Sequence, residues 1–255
     1  IAASLLGGCF VRTTQDESTP ASRPVYTAPS LPTSSTFLVG EMSASLSAQS
    51  DGQSIKIYAG VFSKNGQAIV LENGDYFTAQ LPGAEAIVLT REQGTKDDVA
   101  HYAGTLPVQP AAVDVIIALN RPAGKAPAPA SKLHLPAPFQ ITSTAPATTH
   151  RGDLLPIQIT PASGAHLMEL TVDGECLDKT RSALSTFIGF GSDGTTSFDT
   201  ANLTLTSGAS SCDISLNVRA QTSGEIDPAF AGGVGGGLDD AEGLQQRSFS
   251  TTLVP

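Results

Sequence analysis

The chain has 255 residues, 40% of them hydrophobic and 15% charged, with 25 Gly, 17 Pro and no Trp. That composition can fill the core of one or two domains, and it fits many short elements joined by turns better than a helix-rich fold. The 24 acidic against 14 basic residues give a net charge of −10, which repels phosphate backbones and anionic headgroups and argues against nucleic-acid and polybasic membrane binding; no run of ~18 apolar residues is present to make a spanning helix.

The first element is a processing segment. Ile1-Ala2-Ala3-Ser4-Leu5-Leu6-Gly7-Gly8-Cys9 is apolar and closes on small residues and a Cys. It resembles the end of a bacterial lipoprotein signal peptide, and Leu6-Gly7-Gly8-Cys9 resembles the lipobox, whose small residues admit the signal peptidase. The resemblance implies a diacylated Cys9 and removal of the residues before it. Two acyl chains, at ~0.8 kcal/mol per buried CH₂, anchor stably where one is marginal. The initiator Met and a basic n-region are missing, so residues 1–9 are read as a signal truncated upstream. The alternative is an ordinary buried Cys in a first strand. Residues 10–35 favour the anchor, because Gln15 to Thr36 is rich in Ser, Thr and Pro and reads as a disordered tether. Phe10 follows the Cys in place of the Asp associated with inner-membrane retention, which favours the outer membrane.

Residues 36–121 read as a first β-sandwich. Ile55, Ile57, Ala59 and Val61 alternate with Lys56, Tyr58, Gly60 and Phe62; Val113, Val115, Ile117 and Leu119 repeat the pattern, and Phe77, Ala79 and Leu81 shorten it. Period-two alternation puts one face on a core and the other toward solvent. Asp51-Gly52, Asn65-Gly66, Asn73-Gly74, Pro82-Gly83 and Gln93-Gly94 lie between the runs, and such pairs supply the positive φ of tight turns. The spacing points to antiparallel pairing and against βαβ units. Residues 122–132, within RPAGKAPAPAS, read as a semi-stiff Pro/Ala-rich linker.

Residues 133–255 read as a second β-sandwich. Phe139 and Ile141, then Leu155, Ile157 and Ile159, then Met168, Leu170 and Val172 mark its early strands. Ile214, Leu216, Val218 and Ala220 form the clearest strand, Phe249, Thr251 and Leu253 the last, and Asp178 to Thr186 is assigned one short helix. With Cys9 given to lipid, Cys176 and Cys212 remain, 36 positions apart, and pair in an oxidising compartment. Closing about 37 residues contributes roughly 3.8 kcal/mol in the loop-entropy model. Two free buried thiols are the alternative. The expected fold class is all-β: two antiparallel sandwiches of Ig-like architecture. A true immunoglobulin domain would bring wider Cys spacing and a core Trp.

A wider resemblance rests on Leu135-Pro136-Ala137-Pro138-Phe139, on Arg151-Gly152-Asp153 before a strand and on Gly174-Glu175-Cys176 with the later Cys212. Gly224-Glu225-Ile226-Asp227-Pro228-Ala229-Phe230 with its Gly-rich turn completes the second half; Ile57-Tyr58-Ala59 and Gly74-Asp75 represent the first. The chain is similar to a set of exported lipoproteins of myxobacterial type. The resemblance implies no reaction, ligand or catalytic residue.

Catalytic motifs are missing: no Gly-x-Ser-x-Gly, His-Glu-x-x-His, phosphate-binding loop or Cys-x-x-Cys occurs. His101, His134, His150 and His166 are scattered singly and read as solvated. Ser192 beside Asp193 reads as a turn. Calcium is the one cofactor with candidate oxygens, from Asp193, Thr195 and Asp199 in one loop and Asp227, Asp239 and Asp240 in another, but no EF-hand or repeat spacing supports it. Arg151-Gly152-Asp153 spells an integrin tripeptide yet sits at a strand entrance as a turn, and Gly232 to Gly237 lacks the strand and helix of a dinucleotide loop. The function expected is a non-catalytic envelope lipoprotein with a structural or interaction role. Its partners would be the membrane, through the anchor, and an envelope protein or glycan. A surface ligand-binding or adhesive module, calcium-dependent or not, is the alternative, and an exported hydrolase the remaining one.

Overall fold

In the computed structural model, which describes residues 31–92, 101–162, 167–230 and 240–255, apolar side chains at every second position become strands with one buried face. Ile55, Ile57, Ala59 and Val61 are buried, whereas Lys56 is exposed and Tyr58 half-buried. The first strands are β1 (Met42–Ser50), β2 (Ser54–Ser63), β3 (Tyr76–Gln80), β4 (Ile87–Val88), β5 (Thr90–Arg91), β6 (Tyr102–Pro107), β7 (Val113–Asn120) and β8 (Ala128–Leu135). The others are β9 (Gln140–Ile141), β10 (Thr148–His150), β11 (Leu154–Thr160), β12 (Leu167–Asp173), β13 (Ser185–Gly189), β14 (Thr195–Asp199), β15 (Cys212–Ser223) and β16 (Asp240–Val254). Among the described residues, helix is confined to three-residue 3-10 turns. The chain is all-β.

A nine-stranded sheet dominates, ordered β13-β12-β15-β16-β1-β2-β6-β5, with β10 also paired to β16. Two smaller sheets, β4-β3-β7-β8 and β14-β11-β9, complete the set. The 15-residue β16 is the spine. One of its edges pairs antiparallel with β15 from Glu242 to Leu253. Its other edge runs parallel first to β1, Ser45 opposite Asp240 through Ser50 opposite Gln245, and then to β10, Thr148 opposite Thr252.

Two hydrophobic cores form along this sheet. The first gathers Leu46, Ile55, Ile57 and Leu106 from the large sheet with Phe77, Ile117 and Leu133 from the four-stranded one. The second gathers Leu170, Val172, Leu216 and Val218 from the large sheet with Leu155, Ile157 and Phe198 from the three-stranded one. Strand β16 serves both, through Ala241 in the first core and Leu253 in the second. Sheet continuity makes Leu31–Pro255 one compact unit.

Several expectations need correction. The tether expected over 10–35 gives way by Leu31, which packs on the first core. The Ser34 amide donates to Val70 O (2.8 Å) and the Val70 amide to Pro32 O (2.9 Å), so the backbone is paired and Ser34 is buried. The linker expected over 122–132 is largely strand β8, with Ala128 and Ser131 buried. Pro129 is tolerated because β8 is at the edge of its sheet, where a missing donor breaks no ladder. The step between cores is instead Pro136 to Pro138, after Leu135 of the first and before Phe139 of the second. No helix forms at Asp178–Thr186. The Asp178 carboxylate accepts the Thr180 amide (3.0 Å) and hydroxyl (2.6 Å), which stabilises a turn that leads into β13.

Close approach fixes how β8 crosses the large sheet. A Cβ on Gly243 would run into His134 O, and one on Gly224 into Lys132 O. Only residues without side chains fit there. The Asp227 carboxylate then ties the same region, accepting from the amides of Ala130 (2.7 Å) and Ala229 (2.8 Å), while the Asp227 amide donates to Ser131 Oγ (3.0 Å).

Candidate functional site

Cys176 and Cys212 are joined by a disulfide, with their Cα atoms 5.5 Å apart. Cys212 opens β15 beside Leu253 of β16, and Cys176 follows β12, so the bridge closes one end of the second core. Cys9, His166, Asp239 and the Gly232–Gly237 run lie outside the described residues.

The calcium candidates are kept apart. Asp193 precedes β14 and Asp199 ends it, roughly 16–20 Å of extended chain away at ~3.3 Å per residue. Each carboxylate is occupied locally. Asp193 Oδ1 accepts the Thr195 hydroxyl (2.7 Å) and amide (3.0 Å), and these bonds, the hydroxyl first, hold its pKa below the ordinary value. Asp199 Oδ1 accepts the Ala201 amide (2.8 Å) at the start of a 3-10 turn. Asp227 is committed to Ala130 and Ala229, and Asp240 is exposed where β16 begins. Among the described residues no three His, Cys, Asp or Glu side chains gather as a metal site.

The other singled-out residues form turns and strands. Arg151-Gly152-Asp153 is a turn between β10 and β11, with Gly152 at φ 99° and Asp153 accepting the His150 amide (2.8 Å). Ser192 lies in the turn closed by the Gly194 amide on Gly191 O (2.9 Å). His134 departs from the expectation of a solvated loop residue. It stands in β8 opposite Asp114 of β7, its Nδ1 2.7 Å from Asp114 Oδ1 and its Nε2 4.0 Å from Glu225 Oε1. Strand pairing brings together residues that stand far apart in sequence.

The chemically distinctive place is on the outer face of the large sheet. Gln49 and Ser50 from β1, Asp51 from the following turn, Lys56 and Tyr58 from β2, and Gln246, Arg247 and Ser248 from β16 line a cleft of about 340 Å³. Lys56 and Tyr58 are shared with a second cleft of about 290 Å³, whose other walls are Thr90, Glu92 and the Ala103–Thr105 stretch of β6. Strand register sets this row. Gln49 is opposite Lys56, Lys56 opposite Thr105, Tyr58 opposite Ala103, and Ala103 opposite Thr90. Outward positions on neighbouring strands thus align across the sheet.

Arg247 reaches this cleft from the core-facing side of β16, directly opposite the buried Val218 of β15. The residue is buried, 8% exposed, and its guanidinium lies 5.3 Å from the Phe139 ring centroid. Nη1 donates to Ser50 O (3.1 Å) and Gln246 O (2.7 Å), and Nη2 to Gln245 Oε1 (3.4 Å). All three acceptors are neutral, and buried Nε has no partner. Burial lowers the Arg247 pKa, with Asp51 opposing that effect, and the guanidinium remains charged. Among the described residues neither Arg247 nor Lys56 has a carboxylate within ion-pair distance. Asp51 Oδ1 accepts the amides of Gln53 (2.8 Å) and Ser54 (3.1 Å), which depress its pKa. Sequence reading missed the cleft because its walls come from three separate segments, one of them nearly 200 positions from the others. The one local signal was the outward pair Lys56 and Tyr58.

No family model and no curated protein matches the chain. Among solved structures it is similar to trypsin-activated alpha-2-macroglobulin from Escherichia coli, at 13% identity and a TM-score of 0.25. The match covers 88% of this chain and 17% of that one, a likeness too slight to bear on function.

Proposed function

We propose that this protein is a non-catalytic, lipid-anchored component of a bacterial cell envelope, of the myxobacterial lipoprotein type that its motifs resemble, and that its role is structural or interactive. The observation that carries the reading is the Cys176–Cys212 bridge, because structural disulfides persist in oxidising, exported compartments. Cys9 supplies the acyl anchor and places the protein in the outer membrane. The two cores act as Ig-like sandwich modules held off the lipid by the preceding Ser/Thr/Pro-rich segment. What they present is the polar cleft on the large sheet, together with exposed apolar residues such as Phe187 on the edge strand β13 and Val88 on β4. A partner protein or glycan of the envelope meets those surfaces.

The test is partitioning. The protein, expressed in a bacterial host behind a lipoprotein export signal, is expected in the membrane fraction and released only by detergent. A Cys9→Ser variant is expected in the soluble periplasmic fraction. Equal partitioning of the two proteins would overturn the anchor, and wild-type protein found in the cytosol would overturn the exported reading.

A further inference from the structure

We infer that two copies of this chain pair edge to edge through β13, antiparallel about a two-fold axis at Phe187, so that their large sheets become one. The inference names the partner that β13 meets. It rests on the interaction reading only in taking that edge to be displayed, and it holds whether or not Cys9 carries lipid.

An open sheet edge is a template for another strand, and proteins blunt it with short strands, charge or Pro. All but one of the terminal strands here are blunted. β4, β5 and β9 have two residues each, and β5 carries Arg91. β8 carries Pro129, and its Lys132 amide donates to Glu225 O (2.7 Å). β14 ends on Asp199, with Asp193 just ahead of it. β13 is Ser-Thr-Phe-Ile-Gly, five residues without charge or Pro, and its Phe187 is 69% exposed.

Register shows which main-chain groups of β13 are open. The Val172 amide donates to Leu184 O (2.8 Å) in line with the β12–β13 pairing. Leu184, Thr186 and Ile188 therefore turn their backbone groups to β12, and Ser185, Phe187 and Gly189 turn theirs outward. Among the described residues β13 pairs with β12 alone. A second β13, antiparallel about Phe187, sets Phe187 opposite Phe187 and Ser185 opposite Gly189. The outward groups then satisfy one another in about six hydrogen bonds. The two Phe187 rings stand side by side on the outer face, a pairing that favours association. On the other face Thr186 meets Ile188, which belongs to the second core.

Charge selects a second copy in this orientation. The turn before β13 carries Lys179 and Arg181 against Asp178, with Arg181 76% exposed, and Asp193 follows the strand. Antiparallel pairing brings the basic end of each copy beside Asp193 of the other, whereas parallel pairing sets like ends together. Glu169, opposite Phe187 on β12, accepts the Ser185 hydroxyl (2.7 Å) and lies 3.8 Å from Arg219 Nη1. Its counterpart stands three strand spacings away, about 14 Å, beyond the ~10 Å screening length at 0.1 M salt. The contact is isologous and the far end of the sheet is blunted, so assembly closes at two copies.

The experiment is sedimentation equilibrium of the full chain carrying Cys9→Ser, in ~0.15 M salt, with amide hydrogen exchange at low and high protein concentration. The expected result is a reversible monomer–dimer equilibrium with Kd of about 100 µM or tighter. In the dimer the Ser185, Phe187 and Gly189 amides exchange slower by about threefold or more, while those of Thr186 and Ile188, bonded to β12 in either state, change little. Phe187→Lys faces like charges across the axis and is expected to weaken the dimer by about tenfold or more, with the melting temperature of the monomer unchanged. A chain still monomeric at about 1 mM would leave the edge to a strand of another protein and overturn the inference. Assembly beyond the dimer, a dimer in which those three amides exchange unchanged, or one indifferent to Phe187→Lys would overturn it too. So would protection of the Phe187 amide in the dilute monomer, which would mean that the chain itself covers the edge. None of these depends on the partitioning of Cys9→Ser, so the two readings fail separately.

Discussion

At the scale of single residues, two buried cations do different work. Arg121 pairs with Asp75, the side chains 1% and 0% exposed, and its Nη2 donates to Ser34 O (2.9 Å) and Phe37 O (3.0 Å). One guanidinium thereby fastens the segment before β1 to the turn between β2 and β3. Asp75 Oδ1 has no partner, so the pair is a staple whose halves need each other. Asp75→Asn should leave the buried guanidinium uncompensated and lower unfolding free energy by about 3–5 kcal/mol, measured by urea denaturation; a loss under about 1 kcal/mol would refute that role. Arg247 has no carboxylate within ion-pair distance, and its guanidinium is held instead by Ser50 O, Gln246 O and Gln245 Oε1 against the Phe139 ring.

Carboxylates hydrogen-bonded in surface turns and loops set the acid response. Hydrogen bonds from Gln53 and Ser54 amides hold Asp51 below 3.8, the Thr180 and Thr195 hydroxyls do the same for Asp178 and Asp193, and the Ser35 and Thr33 hydroxyls hold Glu72 below 4.5. A depressed carboxylate stabilises the fold above its unfolded pKa, and that contribution is lost as pH falls through the folded value. Glu242 has the opposite sign. Burial, then Asp240, raises its pKa above 4.5, so its contribution is present at low pH and is lost as pH rises through the raised value. Four groups against one predict stability that declines below about pH 4. Urea midpoints measured from pH 6 to pH 3 test this, with Asp51→Asn expected to flatten the decline; a midpoint that stays level would contradict it.

At the scale of elements, the close crossing of β8 over β15 and β16 carries the packing. Gly243→Ala should force a Cβ into His134 O and cost about 1–3 kcal/mol. Gly189→Ala, with open space around its Cβ position, should change stability by less than about 0.5 kcal/mol. Equal effects in thermal denaturation would show that the crossing is not tight. Strands β2, β7 and β11 were legible in the sequence because their inward residues are large and apolar. Strand β1 was not, since its inward Ala44 and Ala48 alternate with Ser and Gln. Most of β16 was hidden too, because Gln245, Arg247 and Thr251 are buried polar residues that break the apolar period. The parallel pairing of β1 with β16 joins segments nearly 200 positions apart, and no local pattern encodes it. The Asp-Gly and Asn-Gly turns were readable, with Gly52 at φ 92° and Asn73 at φ 54°. The Pro/Ala run misled because Pro at a sheet edge resembles Pro in a spacer.

For the whole molecule, two cores on one sheet imply shared stability. Strand β16 contributes to both cores, and Gln245 Nε2 donates to Pro136 O (3.0 Å) at the step between them. Calorimetry of the disulfide-intact chain should show a single transition with a calorimetric to van't Hoff enthalpy ratio of about 1; two resolved transitions would mean that the modules unfold independently. The same continuity sets the register that aligns the outward row of the cleft across neighbouring strands. The exported, anchored reading unites Cys9, the Ser/Thr/Pro-rich segment and the Cys176–Cys212 bridge, and one measurement addresses the anchor and the bridge together. It is the intact mass of the protein isolated from its native envelope, taken with and without reduction and alkylation. The account predicts a chain that begins at Cys9 and carries acyl mass, with two alkylatable thiols that appear only after reduction. An unlipidated mass with both thiols free before reduction would contradict it.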